Sequence, residues 1–310
     1  MSNTAHINLN LKGIVSVVQT PFTEEGNLDI DSLQLLVNDA INGGVDGLLA
    51  PVVASEANFL SLTERKKIVT TIIQTAGSKV PVIIGASDDN AELSIKHIEW
   101  AVECGASACL VSVPTDLYRQ PDLIIPFFQK VSQEVKLPMI VQDFEFNGPG
   151  LTLDMIRHLK HTIPSMVGIK VETVLAGLKY TAVREMFGKD FFIAGGWAVT
   201  QLIEAMDRGV DAMIPESSMI RVYKRIQQNY EQGDRGAATE LFYRLLPVLA
   251  FTNQEVGNSI LFFKHLLVHK GIFRSTRMRF PEPGWDRYSM RIVEELIELY
   301  LELEKSDNES

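Results

Sequence analysis

Met166-Val167-Gly168-Ile169-Lys170-Val171-Glu172 (MVGIKVE) places an amine and a carboxylate at the end of an otherwise apolar run. Pro164 bounds it upstream and a helical pattern follows, so the run predicts a buried strand. Lysine is rarely buried unless it is paired or functional. At the carboxyl end of a strand it stands in a poorly hydrated mouth, where desolvation disfavours an ammonium and favours a nucleophilic amine. Residues i and i+2 of a strand share a face, which brings Glu172 beside Lys170 if the backbone stays extended. Taken alone, the stretch also fits a solvated lysine where a strand meets its loop.

The surrounding chain decides between the two. Similar apolar runs occur at 13–19, 45–53, 81–85, 106–113 and 138–143, and again at 191–194 and 211–214. Helical patterns separate them, at 31–41, 63–75, 90–104, 122–135, 153–161, 173–187 and 200–208. Asp29 or Asp31, and Ser61 or Thr63, are candidate N-caps, and Gly43-Gly44 stops the first helix. Near-continuous apolar strands alternating with helices require a parallel sheet covered on both faces. Eight strand–helix units with short loops predict an α/β fold of the closed (β/α)8 TIM-barrel type rather than an open doubly wound sheet. Neither GxGxxG nor GxxxxGK[ST] follows the first strand, so nucleotide binding loses its usual support. From residue 219 the pattern is all-helical, at 219–232, 236–252, 257–269 and 287–304. The first segment is the eighth barrel helix and the rest form a C-terminal helical extension. Residues 1–233 are thus expected to be the barrel and 234–310 an extension of the same domain. A basic, proline-ended linker at 274–283 precedes the last helix, and 306–310 reads as a frayed tail.

The 310 residues can bury a large core, and 46% hydrophobic with 22% charged residues is ordinary globular composition. A formal net charge of −10 argues against a nucleic-acid or anionic-membrane partner, while leaving room for a locally basic pocket. Cys104 and Cys109 are too few and too oddly spaced for a zinc site or a disulfide framework, and are expected to be reduced in a cytoplasmic protein. The opening MSNTAHINLNLKG lacks the basic region and apolar core of a signal peptide. No run reaches the roughly 18 to 20 apolar residues of a transmembrane helix.

In a (β/α)8 barrel the reactive groups lie at the carboxyl ends of strands and in the loops that follow. Lys170 ends the sixth strand, Gln142 and Asp143 end the fifth, Asp116 follows the fourth and Glu56 the second. Gly195-Gly196 follows the seventh, where absent side chains let backbone N–H groups approach a ligand. No His pair or Cys cluster accompanies them, so a metal is not implied. The six histidines, at 6, 97, 158, 161, 265 and 269, fall on predicted helices or near the N-terminus and read as structural or surface.

With these residues in order, the chain resembles the dihydrodipicolinate synthase/N-acetylneuraminate lyase family of class I aldolases and lyases. The resemblance runs nearly its whole length: GIVSVVQTPF from Gly13, DGLL…SE…LTER across 46–65, PVI at 81–83, IKVE at 169–172, Gly195, and the helical extension. It implies a Schiff base between the strand-six lysine, here Lys170, and a small 2-oxo acid, with no cofactor and a homodimer or homotetramer as the assembly. The departures bear on which reaction. Val52-Val53-Ala54-Ser55-Glu56 stands where the family has Gly-Thr-Thr-Gly-Glu or a close relative, which removes both hydroxyls. Gln142 replaces the proton-shuttling tyrosine, Asp116 the tyrosine after strand four, and Asn147 the arginine that holds a distal carboxylate. Dihydrodipicolinate synthesis is therefore disfavoured. Ser55-Glu56, Val141-Gln142-Asp143 and Lys170-Val171-Glu172-Thr173 are instead similar to the 2-keto-3-deoxy-L-arabonate dehydratase branch.

A Schiff base makes the C3 hydrogens of a 2-oxo acid acidic, and the resulting enamine can attack an aldehyde or expel a C4 hydroxyl. Glutamine cannot exchange a proton at neutral pH, which favours elimination by a positioned carboxylate over aldol chemistry. Lys170 and Glu172 are the expected catalytic residues, with Ala54, Ser55, Gln142, Asp143 and Gly195 expected to bind substrate. Asp143 reads equally as a second base or as a carboxylate holding backbone amides. Glu56 reads as an ion-pair or loop-holding residue, or as an assistant in catalysis. Three functions stay open: a dehydratase of a 2-keto-3-deoxy sugar acid, an aldolase or synthase with a displaced relay, and a barrel that only binds a 2-oxo acid.

Overall fold

The computed structural model describes residue 9 and residues 11–133, 137–196 and 199–305. Residues 306–310, expected from sequence to fray, Trp197, His6 and the end of the fourth predicted helix lie outside these residues. Eight parallel strands close into a barrel in chain order: β1 Gly13–Val17, β2 Gly47–Ala50, β3 Val82–Gly85, β4 Ala108–Ser112, β5 Met139–Glu145, β6 Met166–Thr173, β7 Phe192–Gly195 and β8 Ala212–Met213. Helices α1 Ile30–Asn42, α2 Leu62–Ala76, α3 Ala91–Cys104, α4 Ile124–Ser132, α5 Leu153–Thr162, α6 Ala176–Phe187, α7 Leu202–Asp207 and α8 Ile220–Glu231 connect and surround them. Three more helices follow: α9 Arg235–Thr252, α10 Val256–His269 and α11 Arg287–Lys305. No helix among the described residues is long and apolar enough to cross a membrane.

The two-residue period of the strands sorts the core into two layers. Val15, Leu49, Ile83, Leu110, Ile140 and Ala194 pack together inside the barrel. Their sequence neighbours Ile14, Leu48, Val82, Cys109, Val141 and Ile193 pack outward against the helices. Local signals place the helix starts: Asp29 caps α1 by accepting from the Ser32 N–H, and Ser61 with Glu64 forms a reciprocal capping box on α2.

Element ends depart from the sequence expectation where hydrogen bonding outlasts or undercuts apolar patterning. β5 and β6 run past their apolar stretches because Asp143↔Val171, Phe144↔Glu172 and Glu145↔Thr173 continue the parallel pairing. β6 therefore ends at Thr173 rather than Lys170, and α6 begins at Ala176 rather than 173. β2 ends at Ala50 instead of 53, because Val53–Ser55 turns into a 3₁₀ helix. Residues 121–123 form another 3₁₀ turn, which delays α4 to Ile124.

Candidate active site

β6 delivers Lys170 and Glu172 to the same, inward face, and their side chains form a buried ion pair with Nζ 2.8 Å from Oε2. Lys170 is 4% exposed and Glu172 8%. Neighbouring β5 sets Gln142 opposite Lys170 in the register, and the Gln142 Nε2 donates to the same Glu172 oxygen at 2.5 Å. The Gln142 Oε1 accepts from Ser112 Oγ at 2.5 Å, and Ser112 Oγ accepts from Ser87 Oγ at 3.0 Å. Hydrogen bonds thus run across four successive strand ends, from Ser87 after β3 through β4 and β5 to the amine on β6. Gln142 is thereby wired as a spacer: it fixes the carboxylate but passes no proton.

This pair lies in the wall of a cleft of about 780 Å³ of empty space, counted to its open mouth. Val52, Val53 and Ala54 form one side, the β8 end with Ile214, Pro215 and Glu216 another, and Asn253, Glu255 and Ser259 close it from the C-terminal extension. Gly196 has a steric role here: a Cβ on it would collide with Glu172 Oε1 and sit 2.8 Å from Lys170 Cε. Its missing side chain is what leaves room for the pair.

Of the residues expected to bind substrate, Ala54 and Gln142 lie in the cleft wall, and three do not. Asp143, one residue on from Gln142, points outward into the helix layer. There it pairs with Lys179 at 2.7 Å and accepts from Tyr118 Oη at 3.0 Å and the Leu151 N–H at 2.9 Å. Burial pushes its carboxyl up and Lys179 opposes that shift. It faces away from the amine, so its backbone-holding reading fits the geometry and a role as base does not. Ser55 turns its hydroxyl to the Val18 carbonyl at 2.7 Å, holding the β2 loop to β1. Gly195 packs against Tyr180 and Met213, so the sequence pointed to this glycine where its neighbour meets the pair.

Glu56 is a strut. Its Oε1 lies 2.5 Å from Lys264 Nζ, and its Oε2 accepts from the Arg279 and Phe280 N–H groups at 2.5 and 2.8 Å. Asp116 sits exposed on the turn after β4.

Glu216 was missed in the sequence. It lines the cleft just beyond β8, where the rule that reactive groups follow strand ends points, but it sits in no recognisable pattern. Its Oε2 accepts from the Ser218 N–H at 2.5 Å, and its buried Oε1 has no hydrogen-bond partner. Burial pushes this carboxyl up to about 7, against the pull of Ser218 and Lys270.

Residues 10–296 match the profile of the dihydrodipicolinate synthetase family. The chain is 28% identical over 246 residues to 4-hydroxy-tetrahydrodipicolinate synthase of Brucella abortus, covering 77% of this chain and 82% of that one. It is 26% identical over 279 residues to L-2-keto-3-deoxyarabonate dehydratase of Azospirillum brasilense, covering 88% and 89%. Among solved structures, the sialic acid aldolase of Ruminococcus gnavus superposes with a TM-score of 0.86 at 19% identity, over 96% of this chain and 99% of that one. With the family profile spanning all eight strands and most of the helical extension, this chain belongs to the dihydrodipicolinate synthetase family, whose members are class I lyases and aldolases.

Proposed function

We propose that the protein is a Schiff-base lyase that dehydrates a 2-keto-3-deoxy sugar acid, with Lys170 as nucleophile and Glu172 as the group that moves the C3 proton. The observation that carries this reading is the Lys170–Glu172 contact of 2.8 Å, buried in the cleft wall with Gln142 on the same carboxylate oxygen. The amine adds to the C2 carbonyl and water leaves, giving an iminium that acidifies C3. Glu172, beside the amine, takes a C3 proton to give the enamine. The enamine expels the C4 hydroxyl, and water then hydrolyses the conjugated iminium to an unsaturated 2-oxo acid and free Lys170. The loop through Ala54 lines the same cleft.

Elimination is favoured over aldol chemistry because the strand-five side chain is an amide tied at both ends, by Ser112 and by Glu172. The similarity to L-2-keto-3-deoxyarabonate dehydratase supports the same direction. One observation favours an aldolase instead: Tyr223 also lines the cleft, so a phenol is present although not on β5. Product analysis with a panel of 2-keto-3-deoxy acids decides. Dehydration keeps the carbon skeleton whole, whereas retro-aldol cleavage releases pyruvate and counts against the dehydratase.

A further inference from the structure

Of the carboxyls that line the cleft, Glu172, Glu216 and Glu255, the first two are of opposite character. Glu172 has two donors converging on one oxygen, an arrangement that suits a proton acceptor. Glu216 has one oxygen bound to the Ser218 N–H and the other buried without a partner, an arrangement that suits a carboxylic acid whose proton sits on the free oxygen. We propose that Glu216 is the general acid that protonates the departing C4 hydroxyl, while Glu172 takes the C3 proton. This assignment rests on the dehydratase reading above.

The backbone supports such a role. Glu216 pairs with Val17 in a parallel bridge, and the Val17 N–H donates to the Pro215 carbonyl at 2.7 Å. The chain that carries the acid is therefore fixed to β1, as a preorganised donor requires. β7 separates β8 from β6 in the barrel, so the acid and the base reach the substrate from different walls. In the step itself, the enamine nitrogen lone pair forms C2=N, the C2=C3 electrons move to C3=C4, and the C4–O bond breaks. The Glu216 proton passes to the leaving oxygen, and water departs. Between turnovers Glu172 gives up the C3 proton and the Glu216 carboxylate takes up a proton, both by exchange with solvent.

The carboxyl sits at about 7, so the acid form is available at neutral pH and is lost as pH rises. Burial sets this value, opposed by Ser218 on its own loop, by Lys270 just past α10 and by the Met219 backbone. Tyr223 on α8 and Tyr300 on α11 face the same carboxyl, and burial together with its charge pushes both phenols up. Lys170, Glu172 and Glu255 share the cleft.

The test compares leaving groups that differ in their need for a proton. Parent enzyme, Glu216→Gln and Tyr223→Phe are assayed with a 2-keto-3-deoxypentonate and with its 4-fluoro-4-deoxy analogue, since fluoride departs without protonation. Borohydride trapping and C3 exchange of pyruvate are followed in parallel. Glu216→Gln should lose hydroxyl elimination by about 10²- to 10⁴-fold, with fluoride loss, trapping and C3 exchange close to the parent. The fall in parent rate as pH rises through about 7 should vanish with fluoride as leaving group. Equal loss of both leaving groups in Glu216→Gln overturns the assignment, as does hydroxyl elimination at the parent rate. Selective hydroxyl loss confined to Tyr223→Phe overturns it in favour of the phenol. Failure of the parent to trap pyruvate overturns the Schiff-base reading beneath it, an outcome visible before any variant is made.

Discussion

At the scale of single residues, the strand period made Lys170 and Glu172 legible as a pair, because i and i+2 share a face. The same rule admits only one of Gln142 and Asp143 to the lumen, and which one depends on the pairing of β5 with β6, which no local pattern records. Glu172→Gln should keep borohydride trapping while slowing C3 exchange by about 10²- to 10⁴-fold. Deuterium exchange of pyruvate read by NMR checks this, and exchange at the parent rate would leave Glu172 as no more than a partner of the lysine. Gly196→Ala should also cost activity with little change in overall fold, because its methyl displaces the Glu172 carboxylate. Turnover beside a thermal melt separates those two effects. Glu216 makes a stability prediction independent of catalysis. Its folded value of about 7 lies above the ordinary 4.5, so the stability tied to its protonated form is present below about 4.5 and lost as pH rises through about 7. The ionised group then costs about 3 kcal/mol. Glu216→Gln should be more stable than the parent by up to that amount at pH 8 and no more stable at pH 4, as denaturant titrations at the two values would read. An equal difference at both would mean that the carboxyl does not titrate in this range.

At the scale of elements, the loop after β2 carries Ala54 into the cleft and is braced from the other end of the chain. Lys264 on α10 is fully buried against Glu56, with its ammonium 4.6 Å from the Phe22 ring centre. Burial pushes Lys264 down to about 8, and the opposing pull of Glu56 keeps it from falling further. Breaking one side of a buried pair leaves the other charge uncompensated, a loss of about 3 to 5 kcal/mol. Lys264→Met should therefore lower stability by that order and raise KM through the loosened loop. Adding Glu56→Gln should restore part of the loss, as a double-mutant cycle in urea would measure. A near-neutral single variant would mean that the strut carries little. Glu56 could be read from sequence as ion-paired, but its partners could not, since Lys264 and Arg279 lie on elements far along the chain that only the closed fold brings to β2.

At the scale of the molecule, alternating runs were enough to predict the barrel and its helical extension, because eight apolar strands have few other ways to bury two faces. We propose that barrel and extension form a single domain. Besides Lys264, Lys270 Nζ donates to the Ser218 carbonyl at 2.9 Å and Tyr300 Oη lies 3.4 Å from the same oxygen, tying α11 and the end of α10 to the loop behind the cleft. A single calorimetric transition is expected, with van't Hoff and calorimetric enthalpies in agreement, and two resolved transitions would contradict it. The family resemblance supports a homodimer or homotetramer, which sedimentation at working concentration checks, and a monomer would refute the assembly without touching the chemistry. The central claim is that Lys170 forms the covalent bond to substrate. Its most direct test is borohydride reduction of the protein with pyruvate, followed by peptide mass mapping. One adduct on Lys170 is predicted, absent from a folded Lys170→Ala variant. No adduct, or an adduct on another lysine, would contradict the account.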